Sequence, residues 1–511
     1  MTNERPKILQ LHPDDNVAVA VVHLHTGESV QFRNIRPRQE IPPGHKIALE
    51  AIPQDAPVKK YGQIMGSALV NIAPGEHVHS HNIGMKEFTR DYAIGRDAVP
   101  LPPAEENEAD TFDGFIRKDG QVGTRNYIGI LATVSCSAGP AHMIADAAQQ
   151  QLLASGDFSN IDGILPLGHG AGCCSPPGSE DLILLQQTLA GYARNPNFGS
   201  VLMVGLGCEV NLVDSLMSAT GLTSSQELHP LVIQDAGGTE ATILAGLEAI
   251  RGMLPKVNAC RRTPVPVRRL VVGLECGGSD AYSGITANPA LGAAVDLLVR
   301  RGGTAILSET PEIYGAEHLL TRRAIRNEVG EKLIDRIRWW EAYTARNGAE
   351  INNNPSPGNK AGGLTTILEK SLGAVAKGGT SPLVDVYRFA EPVSASGLVF
   401  MDTPGYDVVS ITGMIAGGAN IVCFTTGRGT VCGFAPAPTL KLATNSDMYH
   451  RLKKDMDINC GEVLDGTATI QEMGEAIFRR IIETASGKTS KSEAYGFGRH
   501  EFVPWHMGAV L

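Results

Sequence analysis

Short apolar runs that close on a glycine or a polar turn, each followed by a helix-like stretch, constrain this chain most. From Phe112 onward, strand-like runs at 127–134, 161–167 and 200–206 alternate with stretches such as AHMIADAAQQQLLA and SEDLILLQQTLAGYAR. Runs of β-branched and aliphatic residues without polar alternation read as strands buried on both faces. Alternation with helices then predicts an α/β fold with mainly parallel sheets. After a basic seam, ACRRTPVPVRR near 259–269, the pattern resumes with LVVGLE, TAILSE, LVFMD, ANIVCFTT and TLKLAT. Since 511 residues exceed one ordinary core, two successive α/β units are expected, over 112–262 and 263–511.

The first part is different. NVAVAVVHL, HKIALEAI and QIMGSALVNI alternate apolar and polar residues between PPG and APG turns, which predicts a small β-rich module over 1–96. It ends in GEHVHSHN, where His77, His79 and His81 alternate and would share one face of a strand. Residues 97–111, with three prolines and five acidic side chains, read as a solvated linker.

A net charge of −10 with no basic block argues against nucleic acid or an anionic membrane as partner. The opening MTNERPKILQ has no apolar core of a secretory signal. The uncharged stretch Val408–Gly427 is broken at Gly417-Gly418 and carries Asn420, which predicts a buried helix followed by a strand instead of a membrane span. Nine cysteines, an odd number without an export signal, point to reduced thiols in the cytoplasm.

Chemistry-bearing residues cluster at the strand ends. Cys136, Cys173, Cys208 and Cys276 each sit at the close of an apolar run. The carboxyl ends of parallel strands are where ligands gather, so four thiols there suggest a metal-assisted site; any single one can equally be core packing. His169 shares a Gly-rich loop with Cys173. His45 beside Lys46 offers a general base and an anion clamp, or simply a loop pair facing water. His79 and His81 can bite one divalent ion, or face solvent on an edge strand. In Cys276-Gly-Gly-Ser-Asp280, Asp280 is a base or a helix cap, and Glu309 after TAILS is an acid or a metal ligand. Asn359 and Lys360 lie in the stiff loop NPSPGNKAGG, and Arg428 lies in GRGT; both cations suit a substrate carboxylate. No dinucleotide fingerprint, P-loop, GxSxG elbow or tight CxxC pair is present.

Taken together, DGQVGTRNYIGI, GLGCE, GLECGGSDAYSGITANP, NNPSPGNKAGG and the GRGT turn resemble the altronate/galactarate dehydratase family of sugar-acid hydro-lyases. GHKIALEAI, KYGQIMGSALVNI and GEHVHSHN look like that family's SAF-type N-terminal module, and the remainder like its second domain and Rossmann-like C-terminal domain. The histidines His79 and His81 with Asn82 are more similar to the altronate branch. Val431-Cys432 stands where the family usually reads Pro-Tyr, and Gly170-Ala171 replaces a larger pair.

The resemblance implies loss of water from a 2,3-dihydroxy acid, D-altronate first, to give a 2-keto-3-deoxy acid. Another aldonate, galactarate, sulfite elimination from sulfolactate, or a non-catalytic sugar-acid binder are the alternatives. It implies Fe²⁺ or Mn²⁺, as a mononuclear ion held by histidines and one or two thiols; an iron–sulfur cluster on the thiols is the alternative. In this scheme His45 or His79 is base or ligand, Lys360 and Arg428 hold the carboxylate, and Asp280 or Glu309 donates a proton. The only partners expected are the sugar acid and a second copy of the chain.

Overall fold

In a computed structural model of the chain, residues 6–30, 34–86, 90–102, 110–154, 156–223 and 227–508 are described. Where the sequence alternates polar and apolar residues, the chain pairs antiparallel. One N-terminal sheet runs Ile8–Leu9, Val17–Ala20, Lys46–Ala48, His77–Val78, and a second runs Pro57–Lys60, Gln63–Ala68, Ile83–Gly84. Lys46 pairs with Val78 and Ile47 with His77, so the register, continued by one residue, sets His45 opposite His79. Val58, Met65, Ala68 and Ile83 of the second sheet belong to the same apolar cluster as Val272, Leu274 and Leu291, so the module rests on the C-terminal unit.

The middle unit is a parallel four-stranded sheet in the order Gly163–Leu167, Tyr127–Ala132, Phe198–Gly205, Leu228–Val232. The chain enters and leaves it through a small antiparallel sheet in which Arg262–Pro266 pairs with Thr111–Ile116. Of the expected linker, 103–109 lie outside the described residues. The preceding segment is docked instead of free: Arg90 pairs with Glu317 at 3.1 Å and Asp97 with Arg322 at 2.5 Å.

The C-terminal unit carries a parallel sheet of seven strands, in the order Leu383–Tyr387, Gly397–Met401, Thr304–Leu307, Val271–Cys276, Ile421–Thr426, Thr439–Ala443, Ile458–Asn459. Both faces are covered, as continuous apolar strands require. Val272 and Leu274 pack with helices Ala287–Arg300 and Ile470–Ala485, while Val422 and Phe424 pack with helix Asp407–Ala416. Gly397–Met401 sits between the two strands that precede it in sequence, which departs from the dinucleotide-binding strand order. The strand order, not the strand direction, reverses between Val271–Cys276 and Ile421–Thr426, the switch point at which such sheets leave a crevice outside the strands' carboxyl ends. The uncharged stretch 408–427 folds as the expected helix and strand, and among the described residues no helix is long and apolar enough to cross a membrane.

Candidate active site

Four loops meet at that reversal. The Cys276–Asp280 turn leaves one central strand and the Gly427–Gly429 turn leaves its neighbour; the amides of Gly427 and Arg428 both donate to the Gly278 carbonyl (3.2 and 2.9 Å). The Pro357–Ala361 helix and its following glycines lie across them: Asn359 Nδ2 donates to the Ser279 carbonyl at 2.8 Å, and the Ala281 amide to Gly362 at 3.0 Å. A capping box between Ser356 and Asn359 holds this short helix. The fourth loop comes from the N-terminal module, where Gly44, at φ +81°, lies against Gly362 and Ala281 and is followed by His45. Close approach needs glycine at two of these joints. A Cβ on Gly427 would lie 2.1 Å from the Asp280 carboxyl carbon, and one on Gly363 would lie 2.4 Å from the Gly44 carbonyl oxygen.

Three imidazoles face this junction. His45 Nδ1 lies 2.9 Å from His77 Nε2, and His45 and His79 stack with ring centroids 4.7 Å apart. His79 Nε2 reaches the Lys360 carbonyl at 3.0 Å and His45 Nε2 the Ala361 carbonyl at 3.4 Å. Burial, then the neighbouring ring of His79, pulls His45 down to about 4. Burial and the crowd of rings pull His77 to about 3, and burial lowers His79 also. All three are therefore neutral at pH 7 and able to accept a proton or a metal. His77 was not singled out for the site from sequence, although its alternation with His79 was visible. His81 is exposed, in a turn beyond the strand His77–Val78, with its ring 5.5 Å from His77. Lys360 is half-buried and Arg428 exposed at the same junction, and no ion pair to either is found among the described residues.

Beneath the crevice, Cys276 meets a polar cluster. Its Sγ lies 3.5 Å from Glu309 and 3.6 Å from Glu312, and Lys377 Nζ donates to Sγ at 2.9 Å and to Glu309 at 3.0 Å. Lys370 pairs with Glu312 at 2.5 Å, and Glu275 accepts from Ser410 at 2.8 Å. Burial, then Glu309, raises the Cys276 thiol well above its ordinary range and raises Glu275 likewise. Burial pushes Glu309 up most, but Lys377, the hydrogen bond with Glu275 and Lys370 together hold it below its ordinary value, and burial with its acidic neighbours lifts Asp407 to about 7. Of these residues only Cys276 and Glu309 carried a signal in the sequence. Glu275 and Asp407 were visible beside strand ends but unremarked, and Lys370 and Lys377 sit in helical segments with nothing local to mark them.

Several expectations are corrected. The four thiols do not form one centre. Cys276 is buried in the seven-stranded sheet, whereas Cys136, Cys173 and Cys208 are exposed at the carboxyl edge of the four-stranded one. Those three loops are laced by backbone bonds, Ser135 to Ala171 (2.9 Å) and Val210 to Cys173 (3.2 Å). His169 is no free ligand: its Nε2 bonds the Ala132 carbonyl at 3.0 Å and its Nδ1 accepts from the Ala171 amide at 3.1 Å. Lys46 is fully buried and its ammonium is taken by Glu369 (2.8 Å) and the Gly363 carbonyl, so it clamps the module in place and cannot reach a substrate. Asp280 accepts from the amides of Tyr282 and Ser283 and from the side chains of Ser283, Thr444 and Asn445. It anchors this turn instead of standing free as an acid, and it is not a helix cap either, since the next helix starts at Ala287 with Thr286 at the cap position.

Comparison with known proteins matches this architecture domain by domain. Residues 6–86 match the altronate/galactarate dehydratase SAF domain, 114–258 the D-galactarate dehydratase/altronate hydrolase second domain, and 267–510 the D-galactarate/altronate dehydratase C-terminal domain. The chain is 37% identical to an altronate dehydratase of Escherichia coli over 507 residues, covering 98% of this chain and 99% of that enzyme. It is 34% identical to an altronate dehydratase of Bacillus subtilis over 98% of this chain and 99% of that protein. A galactarate dehydratase (L-threo-forming) of Escherichia coli is 35% identical over 94% of this chain and 93% of its own length.

Proposed function

Because the chain belongs to the altronate/galactarate dehydratase family, we propose that it is a metal-assisted sugar-acid hydro-lyase whose substrate is D-altronate. The observation that carries this reading is the seating of three neutral imidazoles over the crevice at the strand-order switch, facing the Lys360 loop. Dehydration of a 2,3-dihydroxy acid needs a base at C2, a proton for the departing 3-hydroxyl, and a clamp for the carboxylate. His45 is the base in the tautomer that donates Nδ1–H to His77 Nε2 (2.9 Å) and leaves Nε2, at 3.4 Å from the Ala361 carbonyl, unprotonated. Its Nε2 points along the Pro357–Ala361 loop, where Lys360 and, across the turn, Arg428 supply positive charge for the carboxylate. The proton that His45 takes from C2 is returned by the same ring to the departing 3-hydroxyl, which leaves as water, with His79 kept neutral beside it. When bound, a divalent cation would supply Lewis-acid polarisation of the substrate, making its C2 proton easier for His45 to remove. Donors suited to such an ion exist in the imidazole trio and in the Cys276–Glu309–Glu312 cluster. The nine cysteines are all free thiols, which accords with a reducing, cytoplasmic setting.

The test is an anaerobic assay of aldonates, galactarate and sulfolactate with Fe²⁺ or Mn²⁺, read as 2-keto acid and as sulfite. Altronate converted to a 2-keto-3-deoxy acid is the expected result. Sulfite release with altronate untouched would overturn the reading, and stabilisation by sugar acids without any turnover would leave only a binder.

A further inference from the structure

We propose that Cys276 Sγ, Glu309 and Glu312 hold one divalent transition-metal ion, with Glu275 and Asp407 behind them as its charge reserve; the choice of ion rests on the hydro-lyase reading. One ligand atom each of Cys276, Glu309 and Glu312 lie within 4.8 Å of one another, and one each of Glu275, Glu309 and Asp407 do so as well. Glu309 is common to both groups. An ordinary ion-pair network does not account for them. Lys370 pairs with Glu312 and Lys377 with Glu309, so among the described residues the Glu275 and Asp407 carboxyls have no ion pair, in a cluster whose Glu275, Glu309 and Glu312 are at most 2% exposed. Two of the carboxylate oxygens, Glu275 Oε1 and Glu309 Oε1, are buried and receive no hydrogen bond from a donor group among the described residues. An acceptor-only group left bare in the interior is costly unless a cation or proton lies against it.

Local backbone makes room for these oxygens. Glu309 is held at φ +68°, an uncommon conformation for a side chain of its size, and a Cβ on Gly277 would fall 2.1 Å from the Asp407 carboxylate. Cys276 and Lys370 line a cavity of about 10 Å³, space for roughly one water, together with Tyr61, Ser279 and Asp280, where the module meets the C-terminal unit. Ser279 Oγ in that cavity is likewise buried and unpartnered. Hard oxygens with a single sulfur favour Fe²⁺, Mn²⁺ or Co²⁺ over the metals of thiolate-rich sites. Binding displaces the thiol proton, and that of a protonated carboxyl where one is present, to solvent.

Cobalt separates this site from its rivals without recourse to catalysis. Metal-stripped full-length protein, titrated anaerobically with Co²⁺, should take up one equivalent with a near-ultraviolet thiolate-to-cobalt band. C276S should abolish the band, and the triple variant C136S/C173S/C208S should keep it. Mn²⁺ binding, followed by the electron paramagnetic resonance of the free ion, should weaken at least tenfold in E312Q. If C276S fails to fold, E312Q and the triple variant decide. The site is refuted if the wild type gives no such band, if the band survives in C276S, if the triple variant loses it, or if E312Q binds Mn²⁺ unchanged. Altronate turnover, measured on the same wild-type samples, reports separately: turnover with a refuted site leaves the hydro-lyase reading intact, and a verified site without turnover removes that reading instead.

Discussion

His45, His77 and His79 sit within reach of one another, and their mutual burial has two consequences at the residue scale. A positioned general base contributes about 10²–10⁴-fold to rate. H45Q, which keeps a polar side chain of similar reach, should therefore lower kcat by at least about 10²-fold with KM little changed, as steady-state kinetics will show. H77Q should be milder and move the acid limb of the kcat/KM profile, because His77 acts through His45. The second consequence is a pH dependence of stability. In the unfolded chain these rings titrate near 6.5, whereas His45 titrates near 4 and His77 near 3 when folded. Between those values the unfolded state binds more protons, so stability falls as pH drops from about 6.5 toward 4 and is regained above it. Urea midpoints across that range should show the slope, and H77Q should flatten it.

At the scale of elements, turns at the ends of two adjacent strands set the geometry. The Cys276–Asp280 turn is pinned by Asp280, and Gly277 and Gly427 leave the space that the Asp407 and Asp280 carboxylates fill. Overpacking such a site costs about 1–3 kcal/mol. G277A should lose stability on that order in denaturant titration, and G427A should do so by displacing Asp280. The Ser356–Asn359 capping box plays the corresponding part for the Lys360 loop, since Asn359 also ties it to Ser279.

At the scale of the molecule, the site exists only where two units touch. Glu369, from the helix Ile367–Ala374, receives both Lys46 (2.8 Å) and Lys60 (3.0 Å) of the N-terminal module, all three nearly devoid of solvent. The two lysines hold its carboxyl down at about 2. Removing one partner of a buried ionic group costs about 3–5 kcal/mol, because charge is left uncompensated. E369Q should accordingly loosen the module, seen as faster proteolytic release of the segment ending near residue 86 and as lost activity. Restoring the carboxylate with E369D should recover only part of each.

Much of this was legible from residues alone. Apolar runs at 127–134, 200–206 and 271–276 are strands because burial on both faces demands unbroken aliphatic sequence, and that is a local property. The helix–strand break at Gly417-Gly418 was legible for the same reason. His45, Lys360 and Arg428 were legible because glycine- and proline-framed loops advertise fixed side chains. What sequence could not reveal is which strand ends face one another. Cys276 and Cys208 close similar runs, yet one lies in the seven-stranded sheet against Lys377 and Glu309, and the other is exposed on a different sheet. Strand order decides that separation, and it depends on crossover connections that no local pattern encodes. Local periodicity and turn chemistry therefore determined the elements and their polar ends. Only the tertiary structure assigned Lys46 to a buried clamp, Asp280 to a turn and the acidic cluster to a single pocket, because those roles depend on what is packed opposite each side chain.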